Sequence, residues 1–137
     1  MPEPVAYKLP LPFPDEDTQE FWNGTKRHEL LVQRCNNGHY RYPPRPICPE
    51  CFSQEFKWEK VSGKGEVYTF IIVRVSPRPD WQAYIPYVLA VIKLDEGPRV
   101  ISNVIGIKPE DVKIGIKVAV TYEDVTEKVT LPKFKPV

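Results

Sequence analysis

The apolar residues in the second half of the chain fall in short runs separated by turn residues, and each run reads as a strand. Gly65 to Val75 (GEVYTFIIVRV) is long and dominated by β-branched and aromatic residues, which suit a pleated surface. Ser76 to Ile85, with Pro77, Pro79 and Trp81, is a loop. Tyr87 to Leu94 is a second strand. Its stretch Val88-Leu-Ala-Val-Ile92 is apolar throughout, the pattern of a strand buried on both faces. Asp95-Glu-Gly-Pro98 is a hairpin turn, and Arg99 to Val104 a third strand. Ile107 to Val112 predicts a short helical turn with Pro109 near its start. Lys117 to Glu123 is a fourth strand, with Val118 and Val120 on one face. Val125 to Pro132 holds the last strand or two, and Lys133 to Val137 reads as a tail. About five strands with a helical insertion before the fourth predict a small closed barrel of the OB type.

The first half is patterned differently. Met1 to Pro14 carries five prolines and predicts an extended arm. Asp15 to Gly24 (DEDTQEFWNG) predicts a short helix, with acidic residues where the helix dipole is positive and Gly24 at its stop. Its apolar cargo, Phe21 and Trp22, either covers a small core or docks on a partner. Thr25 to His28 is a further helical or turn segment, with His28 at the surface, and Glu29 to Arg34 is a strand. In Phe52 to Ser62, Phe56 and Trp58 share one strand face and are expected to close over the loop before them. Gly63 and Gly65 mark a bend into the second sheet. A lone G-x-G with no helix after it is not a nucleotide signature.

Composition agrees with a mainly β chain: Val, Ile and Thr number 16, 10 and 6, against 7 Leu and 4 Ala. No apolar run is long enough to span a bilayer. No basic segment followed by an apolar stretch opens the chain, so no signal peptide is expected. That, with only 3 cysteines, points to a reducing cytoplasm. The net charge is +1. Up to Ser62 there are 8 basic and 9 acidic residues, and after it 11 and 9. Neither half is an electrostatic funnel for a nucleic-acid backbone.

All the cysteines lie between Cys35 and Cys51. Cys48-Pro-Glu-Cys51 is a C-x2-C knuckle, which lets two thiolates hold one ion from a tight turn. Cys35 and His39 form a C-x3-H half-site, completing a donor set suited to tetrahedral zinc. A full ribbon would repeat C-x2-C, but position 38 is Gly38. Three readings stand: a Cys3His zinc site, a ribbon with little or no metal, and a disulfide or redox role. Iron is a further candidate ion. The odd cysteine count argues against a disulfide framework.

Phe21-Trp22, Gln33-Arg34-Cys35, Tyr42-Pro43-Pro44-Arg45, Cys48-Pro49-x-Cys51, Gly63-x-Gly65 and a Leu131-Pro-Lys-Phe134 ending occur in that order. In this the chain resembles the acyl-CoA-associated family catalogued as domain of unknown function 35, over nearly its full length. The resemblance implies an N-terminal arm and short helix (1–28), a rubredoxin-like zinc ribbon (29–62) and a C-terminal five-stranded OB-fold (63–137). Gly38 departs from the pattern, since the family usually has a cysteine there. The implied function is a non-catalytic partner of thiolase-superfamily enzymes. It is similar to the archaeal scaffold joining acetoacetyl-CoA thiolase to hydroxymethylglutaryl-CoA synthase in the mevalonate pathway.

The residues themselves allow three functions. An acyl-CoA scaffold needs basic groups for the CoA phosphates beside an aromatic surface, for which Arg41, Arg45, Arg74 and Arg78 with Tyr42 and Trp81 are candidates. For each arginine the plainer reading is a solvated charge. A single-stranded nucleic-acid binder is the alternative, since ribbons and OB-folds serve that role. Tyr68 and Phe70, on one strand face by spacing, keep it open, while the near-neutral charge counts against it. An enzyme has the least support, because Asp95-Glu96 and Glu123-Asp124 read as solvated turn charges and no acid–base pair is apparent. The docking surface is expected at Phe21, Trp22 and the Tyr42 to Pro46 loop.

Overall fold

The computed structural model describes residues 7–137. The first six residues of the expected arm lie outside the described residues. Helix α1 spans Gln19–Lys26. The strands are β1 (Leu31–Cys35), β2 (Tyr40–Arg41), β3 (Phe56–Lys60), β4 (Lys64–Val73), β5 (Tyr87–Leu94), β6 (Arg99–Val104), β7 (Lys117–Asp124) and β8 (Thr130–Pro136). Short 3-10 turns cover Pro79–Trp81 and Pro109–Asp111. No helix among the described residues is long and apolar enough to cross a membrane.

The entry turn of α1 is closed by Asp15, whose carboxylate accepts from the Thr18 amide at 2.9 Å and hydroxyl at 3.0 Å. Those bonds hold the Asp15 carboxyl below its ordinary value. Gly24 does not stop the helix. It is buried, and a Cβ there would meet Leu31 Cδ1 at 2.7 Å, so this glycine lets α1 lie close on β1. The stop is His28 at φ 60, in the position that usually holds glycine. Around it Glu29 N–H donates to Gly24 O and His28 N–H to Thr25 O, each at 2.9 Å, the paired bonds of a Schellman motif.

Two β units follow. In the ribbon β1 is central, antiparallel to both β2 and β3. The second unit is a closed barrel in the order β4-β5-β6-β8-β7, with β7 returning to β4. Its β6–β8 contact is parallel, pairing Val104 with Phe134. The bend between the units falls at Gly63 (φ +76), whose carbonyl accepts from Val120 N–H at 2.8 Å.

One apolar core crosses that bend. Phe21, Leu30, Val32 and Val61 from the ribbon side pack in one cluster with Val67, Ile92, Val118 and Phe134 from the barrel. Polar links reinforce it: Glu96 accepts from Ser62 N–H at 2.7 Å, and His28 Nε2 lies 3.1 Å from both Asp124 oxygens while stacking on Tyr122.

Three expectations need correction. Strand β5 is buried on one face only: Val88, Ala90, Ile92 and Leu94 point into the barrel, while Leu89 is exposed. A bulge between Val67 and Thr69 breaks the alternation of β4. Tyr68 is left exposed beneath the Arg99 guanidinium, 4.0 Å from its ring centre, whereas Phe70 packs against the core, so the two do not share a face. The last strand is Thr130–Pro136, so the expected tail completes the barrel, with Phe134 fully buried.

Candidate metal centre and ligand residues

The β1–β2 hairpin turns through Cys35-Asn-Asn-Gly-His39. Gly38 N–H donates to Cys35 O, and Cys35 N–H to His39 O, each at 2.9 Å. Gly38 has φ +87, and a Cβ there would find only the Arg34 guanidinium within 4 Å. The hairpin therefore presents its second donor from position 39. The knuckle closes opposite, where Phe52 N–H donates to Cys48 O and Cys48 N–H to Ser53 O, each at 2.9 Å.

The donor atoms of Cys35, His39, Cys48 and Cys51 all lie within 4.8 Å of one another. His39 Nδ1 is 3.4 Å from Cys35 Sγ and 3.7 Å from Cys48 Sγ, and the Cys35 and Cys51 sulfurs are 3.7 Å apart. Zinc bound at about 2.3 Å to sulfur and about 2.0 Å to nitrogen in a tetrahedron requires edges of about 3.8 Å (S···S) and about 3.5 Å (S···N). The four residues fit that ion. The cysteines are free, so the sulfur pair is not a disulfide. Glu50 Oε2 lies 3.2 Å from His39 Nε2, an outer partner that turns Nδ1 toward the sulfurs. Hydrogen bonds from Asn37, the Ser53 amide and His39 hold the Cys51 thiol down to about 6, which favours the thiolate a metal needs.

The residues considered for CoA do not form one group. Arg41 is buried. Its Nε donates to Gln33 Oε1 at 2.7 Å and Arg45 O at 2.9 Å, and its guanidinium lies 4.6 Å from the centre of the Phe56 ring. Gln33 Oε1 also accepts from Arg45 N–H at 2.7 Å, so Gln33 and Arg41 pin the Tyr42–Pro46 loop to β1. The terminal Arg41 nitrogens are buried without a partner among the described residues. Tyr42 packs 5.7 Å from Phe21, and burial pushes its phenol up. Arg41 and Tyr42 are thus built into the ribbon instead of facing a phosphate or an adenine. Phe21 is likewise buried and does not form a docking surface, whereas Trp22 is part-exposed.

Arg45, Arg74 and Arg78 are at the surface, the last two paired with Glu110 and Asp80 at 3.4 Å. Trp81 lines a cavity of about 410 Å³ with Tyr7, Tyr84, Tyr87, Asn103 and Lys133, a wall that includes none of the four arginines. Tyr84 and Tyr87 follow Trp81 closely in the sequence, but Tyr7, Asn103 and Lys133 come from the arm, β6 and β8, and no local spacing joins those three to Trp81.

Comparison with known proteins agrees with this architecture. Residues 22–57 match the ChsH2 rubredoxin-like zinc ribbon domain family, and residues 58–123 the ChsH2 C-terminal OB-fold domain family. A DUF35 domain-containing scaffold protein of Methanocaldococcus jannaschii is 42% identical over 109 residues, covering 77% of each chain. A probable enoyl-CoA hydratase alpha subunit of Thermomonospora curvata is 34% identical over 93% of this chain, which spans only 40% of that subunit's length. Among solved structures, a chain of the Ltp2-ChsH2(DUF35) aldolase superposes with a TM-score of 0.83 at 33% identity, covering 92% of this chain and 98% of that one. A DUF35 protein of unknown function from Sulfolobus solfataricus shares the fold, with a TM-score of 0.63 at 17% identity over 89% of this chain and 86% of that one. A rubredoxin-like ribbon leading into an OB-fold, matched over most of both lengths by a named scaffold relative, places this chain in the DUF35 family.

Proposed function

We propose that this protein is a non-catalytic accessory subunit that holds a thiolase-superfamily acyl-CoA enzyme. Acetoacetyl-CoA thiolase and hydroxymethylglutaryl-CoA synthase are the first pair to test. The observation that carries the reading is the superposition, over nearly the whole of both chains, on a chain of the Ltp2-ChsH2(DUF35) aldolase. The scaffold named in the 42%-identical relative supports it. In this reading one zinc ion sits on Cys35, His39, Cys48 and Cys51 in the cytoplasm of the host. All four positions are filled by protein donors, so the ion's role is to hold the β1–β2 hairpin to the knuckle. Arg45, Arg74, Arg78 and Trp81 are the groups left to border the CoA of the partner. The test is to mix the purified chain with each purified host enzyme and measure complex formation by analytical ultracentrifugation. A stable complex with one of them is expected. Separate sedimentation from both, at concentrations well above micromolar, would overturn the reading.

A further inference from the structure

Phe52 stands out on two independent counts. Its φ is 61, a left-handed backbone that a bulky side chain rarely adopts. Its side chain is 76% exposed, so no packing within the chain offsets that strain. The knuckle itself needs the conformation, because Phe52 N–H and Ser53 O both bond back to Cys48. Glycine would meet that need without strain. A large aromatic ring here contributes little to the fold, and strain kept at an exposed position points to use elsewhere.

The surroundings say what kind of surface would cover it. Ile47, 43% exposed, precedes the same knuckle, and Pro46 and Pro49 flank it. Within the tip the charged residues are Glu50 and Glu55, both exposed, while the exposed cations Arg45 and Lys57 stand just outside it on either side. An aromatic anchor on an acidic tip complements an apolar socket ringed by lysine or arginine. An enzyme that takes CoA thioesters must carry such cations, since CoA bears a 3′-phosphate and a pyrophosphate.

We infer that Phe52, with the exposed Ile47 at the start of the same knuckle, is the anchor by which the knuckle docks into a basic-rimmed apolar socket on the acyl-CoA enzyme. This rests on the accessory function proposed above. It moves the docking surface from Phe21 to the knuckle tip.

Phe52→Gly tests it, with the enzyme that the wild-type chain binds as the probe. The variant is expected to keep its zinc and melt at or above the wild-type temperature, by up to about 2–4 °C. It is expected to bind the enzyme at least ~30-fold more weakly, the loss typical of a buried aromatic anchor. Phe13→Ala, which removes a still more exposed ring elsewhere (95%), should leave binding unchanged. Glu55→Lys should weaken binding, and wild-type affinity should fall with salt. Wild-type affinity in Phe52→Gly overturns the inference and leaves the accessory function standing. A lowered melting temperature overturns it too, because the ring would then be serving the fold. If the wild-type chain binds neither enzyme, both readings fail together.

Discussion

Removing the His39 imidazole is the sharpest test of the ribbon. Three edges of the donor tetrahedron, at 3.4, 3.7 and 3.7 Å, match those of zinc within about 0.2 Å, and two of them end on His39 Nδ1. Binding of structural zinc releases about 10–16 kcal/mol, so one ligand of four accounts for about 3 kcal/mol, or roughly 100-fold in affinity. The hairpin and knuckle lie beyond the core that Leu30, Val32 and Val61 share with the barrel, and they have little else to stand on. Strand β2 has two residues, and the remaining buried apolar residues up to Cys48 are Leu31, Cys35, Pro44 and Cys48. Small units of this kind lean on metal. His39→Ala is therefore expected to bind zinc about 100-fold more weakly in competition with a chromogenic chelator. Its ribbon amides should exchange with solvent while those of β4–β8 stay protected. His39→Cys should restore most of the affinity. Unchanged affinity in His39→Ala would refute the assignment, and zinc-free wild-type protein with a fully protected ribbon would refute the role of the metal.

Other consequences follow from the barrel. Phe134→Ala removes a fully buried ring where β8 joins β6 to β7 and should cost about 3–5 kcal/mol in urea unfolding. Gly63→Ala drives a Cβ to 2.2 Å from Val120 Cγ1 at φ +76, whereas a Cβ on Gly97 at φ +117 meets nothing within 4 Å. Gly63→Ala should therefore cost about 2–4 kcal/mol and Gly97→Ala about 1–2, and equal costs would contradict the close approach. Burial, with Glu29 second, pushes the Tyr122 phenol up to about 12 from an ordinary 10.0. The neutral phenol is the form the fold favours, so its contribution is full below pH 10 and is lost as pH rises toward 12. Melting temperatures between pH 9 and 12 should fall less steeply in Tyr122→Phe than in the wild-type chain.

What could be read from the sequence was what is locally encoded. The Asp95–Pro98 turn, the Arg99–Val104 strand and the Pro109 turn depend on residues next to one another, and they lie where the pattern places them. The C-x2-C knuckle and C-x3-H half-site are equally local, and the four donors converge. Features set by tertiary packing were hidden. Lys133 to Val137 read as a tail, yet it continues β8; Pro132 and Pro136 are accommodated there because the ladder to β6 is a single residue pair, so few donors are missed. Gly24 read as a stop because the close approach of Leu31 comes from another element. Arg41 read as a surface cation because nothing nearby in sequence announces that Gln33 and Phe56 enclose it.

The proposed accessory role, holding an acyl-CoA enzyme, is open to one direct measurement. The direct measurement is native mass spectrometry of the full chain mixed with purified host acetoacetyl-CoA thiolase and hydroxymethylglutaryl-CoA synthase. A complex of defined stoichiometry containing at least one of these enzymes is expected, with one zinc per copy of this chain. Free enzymes beside free chain at every mixing ratio would contradict it.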